Sequence, residues 1–157
     1  MSLPQVGAPA PSFAGTIQDG SGLSLDALRG RRVALYFYPR DNTSVCTKQA
    51  CSLRDGWETL AAQNITVVGI SDDPVKSHAA FAEKFGLPFP LIADVDHAVT
   101  DAYGMWVEKS MYGKKYMGTR RSTFLIDEMG FLRSIIEKPE TGNHAAEILR
   151  AFGSTVG

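Results

Sequence analysis

The sequence predicts an α/β layered sandwich, with a central mixed β-sheet flanked by helices, and three observations carry that prediction. Short, continuous apolar runs alternate with stretches of helical periodicity, the pattern of strands buried on both faces and joined by helices. The last two strand-like runs are separated by only a hairpin-sized turn, which adds antiparallel strands to the sheet. The length of 157 residues, with 44% hydrophobic and 21% charged side chains, suits one ordinary domain with a full core. No internal repeat, low-complexity tract or long linker divides the chain, so one domain spanning 1–157 is expected.

The elements follow in order. Gly7-Ala8-Pro9-Ala10-Pro11 reads as an extended lead-in, since a residue before proline avoids the helical region. Val33–Phe37 is a continuous apolar run, as expected of a central strand, and Thr66–Ile70 and Ser122–Ile126 look the same. Ala50, Leu53, Trp57 and Leu60 recur at helical spacing, and Val75, Ala79, Ala82 and Phe85 form a second stripe. Trp57 and Phe85 are expected in the core. Asp127-Glu128-Met129-Gly130 is the turn into a last strand over Phe131–Glu137, and a final helix runs from about Asn143 to Phe152, with His144 expected at the surface. A thioredoxin-like three-layer sandwich fits this order and size.

Composition narrows the function classes. Net charge is -1 with no block of like charge, so neither nucleic acid nor a membrane surface is an expected partner. The opening Met1–Gly7 lacks a cationic segment followed by an apolar core, and no run is long enough to span a bilayer, so no leader is expected and the cytoplasm is the expected location. Two cysteines are too few for a secreted disulfide framework or, alone, for a four-thiolate zinc site. His78, His97 and His144 show no metal-ligand spacing, and no phosphate loop or flavin motif appears; no cofactor and no metal are expected. In a reducing compartment, two cysteines five residues apart point toward redox chemistry.

The chemical centre lies between Tyr36 and Cys51. A buried strand ends at Pro39, a short polar loop follows, and Thr43 offers a helix N-cap, which puts Cys46 in the first helical turn. There the unpaired backbone N–H groups and the positive end of the macrodipole stabilise an anion. A free thiol has a pKa of about 8.5, and helix N-termini and nearby cations can bring that to roughly 3.5–7.5. Cys46 precedes Ala50 on the same stripe, so it faces inward; position alone leaves a nucleophile and an inert buried cysteine equally open. Cys51 adds a geometric argument. Two Cα atoms five helical residues apart are separated by roughly 8–9 Å, whereas a disulfide needs about 7 Å or less. Either the pair never bonds, or the first helical turns unwind when Cys46 is oxidised.

Pro39-x-x-x-Thr43-x-x-Cys46 resembles the active-site signature of peroxiredoxins, and Tyr36-Phe37-Tyr38-Pro39 with the Cys46-to-Cys51 spacing resembles the Q-type, or bacterioferritin comigratory protein, subfamily. The similarity continues through Ser77-His78-x-x-Phe81, Leu87-Pro88-Phe89-Pro90-Leu91, Trp106-x-Glu108-Lys109 and Arg121-Ser122-Thr123-Phe124, and covers the chain from Val6 to Phe152. It implies a thiol peroxidase acting on hydrogen peroxide and organic hydroperoxides. Cys46 would be the peroxidatic cysteine, oxidised to a sulfenic acid, and Cys51 the resolving cysteine that closes an intramolecular disulfide. Thioredoxin or a similar dithiol would reduce it. Thr43 matches the threonine that helps hold the peroxide, Pro39 the proline that shields the thiolate, and Arg121 the active-site arginine; a monomer is the state the resemblance implies. Without the resemblance, Thr43 reads as a plain cap, Pro39 as a strand-ending proline and Arg121 as a solvated strand-end residue.

Two departures stand out. The subfamily often has Pro-Gly where this chain has Ser44-Val45, so Val45 is expected to narrow the pocket or stiffen the helix start. An acidic residue commonly stands where Gln49 is, so ionic tuning of the arginine differs; an altered rate is expected, not lost function. Met105, Met111 and Met117 flank a Gly- and Lys-rich loop and are expected to pack there rather than line an approach for apolar hydroperoxides. Two rival functions fit the same residues. A thioredoxin-like protein disulfide oxidoreductase would reduce insulin, but that chemistry usually relies on C-x-x-C. A non-enzymatic redox sensor would oxidise stoichiometrically without turnover.

Overall fold

The computed structural model describes residues 3–153, so Met1 and Ser2 of the opening segment, and the last residues of the expected 1–157 domain, lie outside the described residues. The chain enters through a small antiparallel pair, β1 (Ala14–Thr16) and β2 (Gly22–Ser24), then runs through β3 (Arg32–Phe37) into helices α1 (Ser44–Asp55) and α2 (Trp57–Ala62). β4 (Ile65–Ser71), α3 (Val75–Phe85), β5 (Leu91–Ala93) and α4 (Ala98–Ala102) follow. A hairpin of β6 (Trp106–Met111) and β7 (Lys114–Thr119) precedes β8 (Ser122–Ile126), β9 (Leu132–Ile136) and α5 (His144–Phe152).

The main sheet has the order β5-β4-β3-β8-β9, with β3, β4 and β5 parallel and β8 and β9 antiparallel to their neighbours. This is the mixed sheet of a thioredoxin-like sandwich. Period-two alternation along β3 divides the core. Ala34 and Tyr36, with Tyr38 beyond the strand, pack with Cys46, Ala50 and Leu53 of α1 and Ile148 of α5. Val33, Leu35 and Phe37 face the opposite layer, with Tyr103, Met105 and Phe124. A strand with every residue from Val33 to Phe37 buried reads in sequence as an unbroken apolar run, which is how it was legible.

Two elements differ from the sequence reading. The single stripe through Ala50, Leu53, Trp57 and Leu60 is two helices, interrupted at Gly56. A Cβ at Gly56 would collide with the Ala145 side chain on α5, so the break and the close approach of α5 occupy one place. The Gly- and Lys-rich stretch is not a loop: β6 and β7 pair from Trp106↔Thr119 to Met111↔Lys114 around Tyr112-Gly113, both with positive φ. Such a turn usually carries asparagine or glycine first, and Tyr112 masks it.

Candidate active site

The site follows from strand register. β3 and β8 are antiparallel, with Phe37 opposite Ser122, so the loop leaving β3 and the residue entering β8 emerge at the same edge. That loop, Tyr38 to Thr43, leads into α1, and Arg121 reaches across to it. Cys46 is 2% exposed in the first turn of α1. Arg121 donates from Nη2 to Cys46 Sγ at 3.2 Å and from Nη1 to Gln49 Oε1 at 2.7 Å. The two arms hold the guanidinium in one orientation, with a hydrogen bond that is strongest to an ionised thiolate. The first helical bond of α1 runs from the Thr47 N–H to the Thr43 carbonyl at 2.8 Å. The N–H groups of Val45 and Cys46 precede it, so they have no acceptor within the helix and are the donors of its N-terminus.

Gln49 thus takes the arginine through its amide carbonyl, a neutral hydrogen bond where the subfamily often has an acid. Through this arm no carboxylate competes with Cys46 for the guanidinium. Val45 is 48% exposed and is not part of the neighbouring cavity wall, so it does not narrow that cavity.

Thr43 occupies the N-cap position, but its hydroxyl caps nothing: it donates to the Arg40 carbonyl at 3.0 Å. With its proton committed, Thr43 Oγ1 presents only lone pairs and can accept a hydrogen bond from a ligand hydroxyl. Thr43 and Pro39 line a cavity of about 410 Å³, walled also by Trp106, Lys109, Met111 and Met117. Met105 is a fully buried core residue, as expected. Met111 and Met117, 57% and 50% exposed, instead line this approach; the expectation that they would pack away is corrected. Lys109, a residue the sequence reading left without a role, also belongs here. Burial, and then the Arg121 guanidinium, hold its amine below the usual range, while Cys46 pulls the other way.

Cys51 lies five residues along the same helix, half-buried, and both thiols are free. The helical geometry that separates the two Cα atoms by roughly 8–9 Å therefore stands. The neighbouring Ser52 Oγ accepts the backbone N–H of His144 at 2.8 Å, tying this part of α1 to the start of α5.

His144 is fully buried, which corrects its expected surface placement. The Glu147 carboxylate can only accept, so Nδ1 donates to it at 2.8 Å, and Nε2 accepts from Thr123 Oγ1 at 2.7 Å. Two partners at opposite sides of the ring explain the burial. Burial holds its pKa below the ordinary value of 6.5, with Glu147 opposing. Above that value neither folded nor unfolded His144 is charged. As pH falls below it, the unfolded chain takes up a proton that the folded ring refuses, so stability is lost progressively. Urea denaturation at descending pH is expected to show a flatter loss in His144→Gln than in wild type; equal slopes would refute the assignment.

Asp41, Asp73 and His78 bring ligand-type atoms within 4.8 Å of one another. All three are engaged in hydrogen bonds within the protein, and the arrangement reads as a polar network behind the loop.

The model of the AhpC/TSA family matches residues 6–135. Peroxiredoxin Bcp of Escherichia coli K12 is 41% identical over 145 residues, covering 92% of this chain and 93% of that protein. A crystal structure of a Xylella fastidiosa PrxQ variant superposes with a TM-score of 0.91 at 28% identity, covering 98% of each chain. A Xanthomonas campestris bacterioferritin comigratory protein, described for its alkyl peroxide reduction, gives a TM-score of 0.85 at 32% identity over 90% of each chain.

Proposed function

The chain belongs to the AhpC/TSA family and, within it, to the peroxiredoxin Q or bacterioferritin comigratory group, and on that premise we propose that its thiol-dependent peroxidase reaction is carried by Cys46 and completed by Cys51. The observation that carries this reading is the arginine on the sulfur: Arg121 Nη2 lies 3.2 Å from Cys46 Sγ at a helix N-terminus.

The Cys46 thiolate attacks one oxygen of the hydroperoxide. The S–O bond forms as the O–O bond breaks, leaving a sulfenic acid, and the departing alkoxide or hydroxide takes a proton to become alcohol or water. Charge grows on the leaving oxygen, where Arg121 and the N–H groups of Val45 and Cys46 donate. Thr43 Oγ1 accepts the peroxide O–H, which orients the molecule, and Pro39 keeps water from the thiolate. Hydrogen peroxide and alkyl hydroperoxides are the substrates. The 410 Å³ cavity against Thr43 has room for an organic chain, and the alkyl peroxide activity of the Xanthomonas relative supports the same class here.

The Cys51 sulfur then attacks the sulfenic sulfur, the S–S bond forms and the hydroxyl departs as water. Because both cysteines are helical in the reduced state, α1 unwinds to close this bond. Thioredoxin or a similar dithiol restores both thiols by exchange and leaves as the disulfide. No helix among the described residues is long and apolar enough to cross a membrane. A cytoplasmic monomer working as one domain completes the reading, because both cysteines lie on one helix and need regular re-reduction.

The test is peroxide consumption coupled to thioredoxin, thioredoxin reductase and NADPH, with Cys51→Ser beside wild type. Wild type is expected to turn over continuously. Cys51→Ser is expected to consume about one equivalent of peroxide and then lose at least about nine-tenths of its thioredoxin-linked rate. Undiminished turnover by that variant would remove Cys51 from the cycle.

A further inference from the structure

We propose that the buried Asp41–His78 pair is the positioning device of the peroxide site, fixing the loop that carries Thr43 and leads into Cys46. The inference rests on the reading of Cys46 as the attacking thiol and names residues that act through the loop without touching substrate.

His78 is fully buried and Asp41 is 7% exposed. His78 Nε2 faces the Ile92 carbonyl at 2.9 Å, and a carbonyl only accepts, so Nε2 carries hydrogen. Nδ1 faces Asp41 Oδ2 at 2.7 Å, and a carboxylate oxygen accepts, so this nitrogen is the donor on that line. Tyr38 Oη donates to Asp41 Oδ1 at 2.6 Å and Ser77 Oγ donates to Oδ2 at 2.8 Å. Asp41 also donates its own N–H to Asp73 Oδ2 at 2.7 Å, and Lys84 reaches Asn42 Oδ1 at 3.3 Å. Strand β4's end and helix α3 thus grip two consecutive loop residues.

The grip bears on a tight turn of the loop. Asn42 has a φ of 61°, in the left-handed region that few residues other than glycine and asparagine adopt. One residue later Thr43 turns its hydroxyl to the Arg40 carbonyl, and the helix begins. Removing the buried acceptor strands three donors inside the protein and frees Asp41 to move. Thr43 Oγ1 and the N–H groups of Val45 and Cys46 then lose their common aim. A misplacement of about 1 Å at such a cradle can cost up to about a hundredfold in rate.

The peroxide cradle is needed for hydroperoxides and not for an alkylating agent, so two rates separate positioning from general damage. In a Cys51→Ser background, Asp41→Ala is expected to lower the second-order rate of Cys46 oxidation by hydrogen peroxide by about tenfold or more. Its rate of alkylation by iodoacetamide should stay within about threefold. If Asp41→Ala does not fold, the double substitution Tyr38→Phe with Ser77→Ala removes two of the donors while keeping the Asp41–His78 contact. It is expected to slow peroxide by about threefold or more with alkylation unchanged. A folded Asp41→Ala with a wild-type peroxide rate overturns the proposal, and so does a parallel fall of both rates. Failure of the underlying reading looks different: the Cys51→Ser parent itself would then show no peroxide oxidation that depends on Cys46.

Discussion

Replacing Cys46 with serine is expected to bring peroxide turnover below about one-thousandth of wild type, the size of loss seen when an enzyme loses its nucleophile. The exchange changes a single side-chain atom at a position 2% exposed, so the fold survives and the chemistry does not. A serine hydroxyl near neutrality stays protonated even beside Arg121, and a neutral alcohol does not displace an O–O bond. Cys51 remains in the variant, but the guanidinium of Arg121 lies on the Cys46 side, so Cys51 offers no substitute. The check is the NADPH-coupled assay together with trapping of sulfenic acid by dimedone. Turnover above about one-tenth of wild type would mean that another group attacks the peroxide.

Arg121→Met comes next in size, with an expected fall of about a hundredfold in the rate of Cys46 oxidation. Methionine keeps much of the volume and loses both donors. The thiol then has no cation at 3.2 Å, and the leaving oxygen has no charged donor. Arg121→Lys keeps a charge but cannot serve Gln49 and Cys46 at once from a planar fork, so an intermediate rate is expected. Stopped-flow oxidation, followed by the fluorescence of Trp57 and Trp106, measures both variants. A rate for Arg121→Met within about threefold of wild type would show that the helix N-terminus suffices.

Much of the arrangement was legible before any coordinates. The buried strands announced themselves because burial on both faces leaves no polar interruption, as from Val33 to Phe37. Thr43 at a helix start and Cys46 three residues on were readable from local rules. Arg121 was not, since it and Cys46 are 75 positions apart and are brought together by the pairing of β3 with β8; family resemblance supplied it. His144 misled because helix-start histidines are commonly solvated, and nothing local foretells partners on Thr123 and Glu147. The contact between Asp41 and His78 was hidden for the same reason, being made by tertiary packing across 37 residues. The β6–β7 hairpin was hidden by Tyr112 in a turn position that favours asparagine or glycine.

The antiparallel placement of β8 against β3 also orders events during synthesis. A growing chain exposes Cys46 long before Arg121 has been added, 75 residues later. Until β8 pairs with β3, Arg121 is not held beside the cysteine, even where α1 already packs on Ala34 and Tyr36 of β3. On the proposed reading, the nascent chain gains the full reactivity of Cys46 toward peroxide with the closing of the sheet.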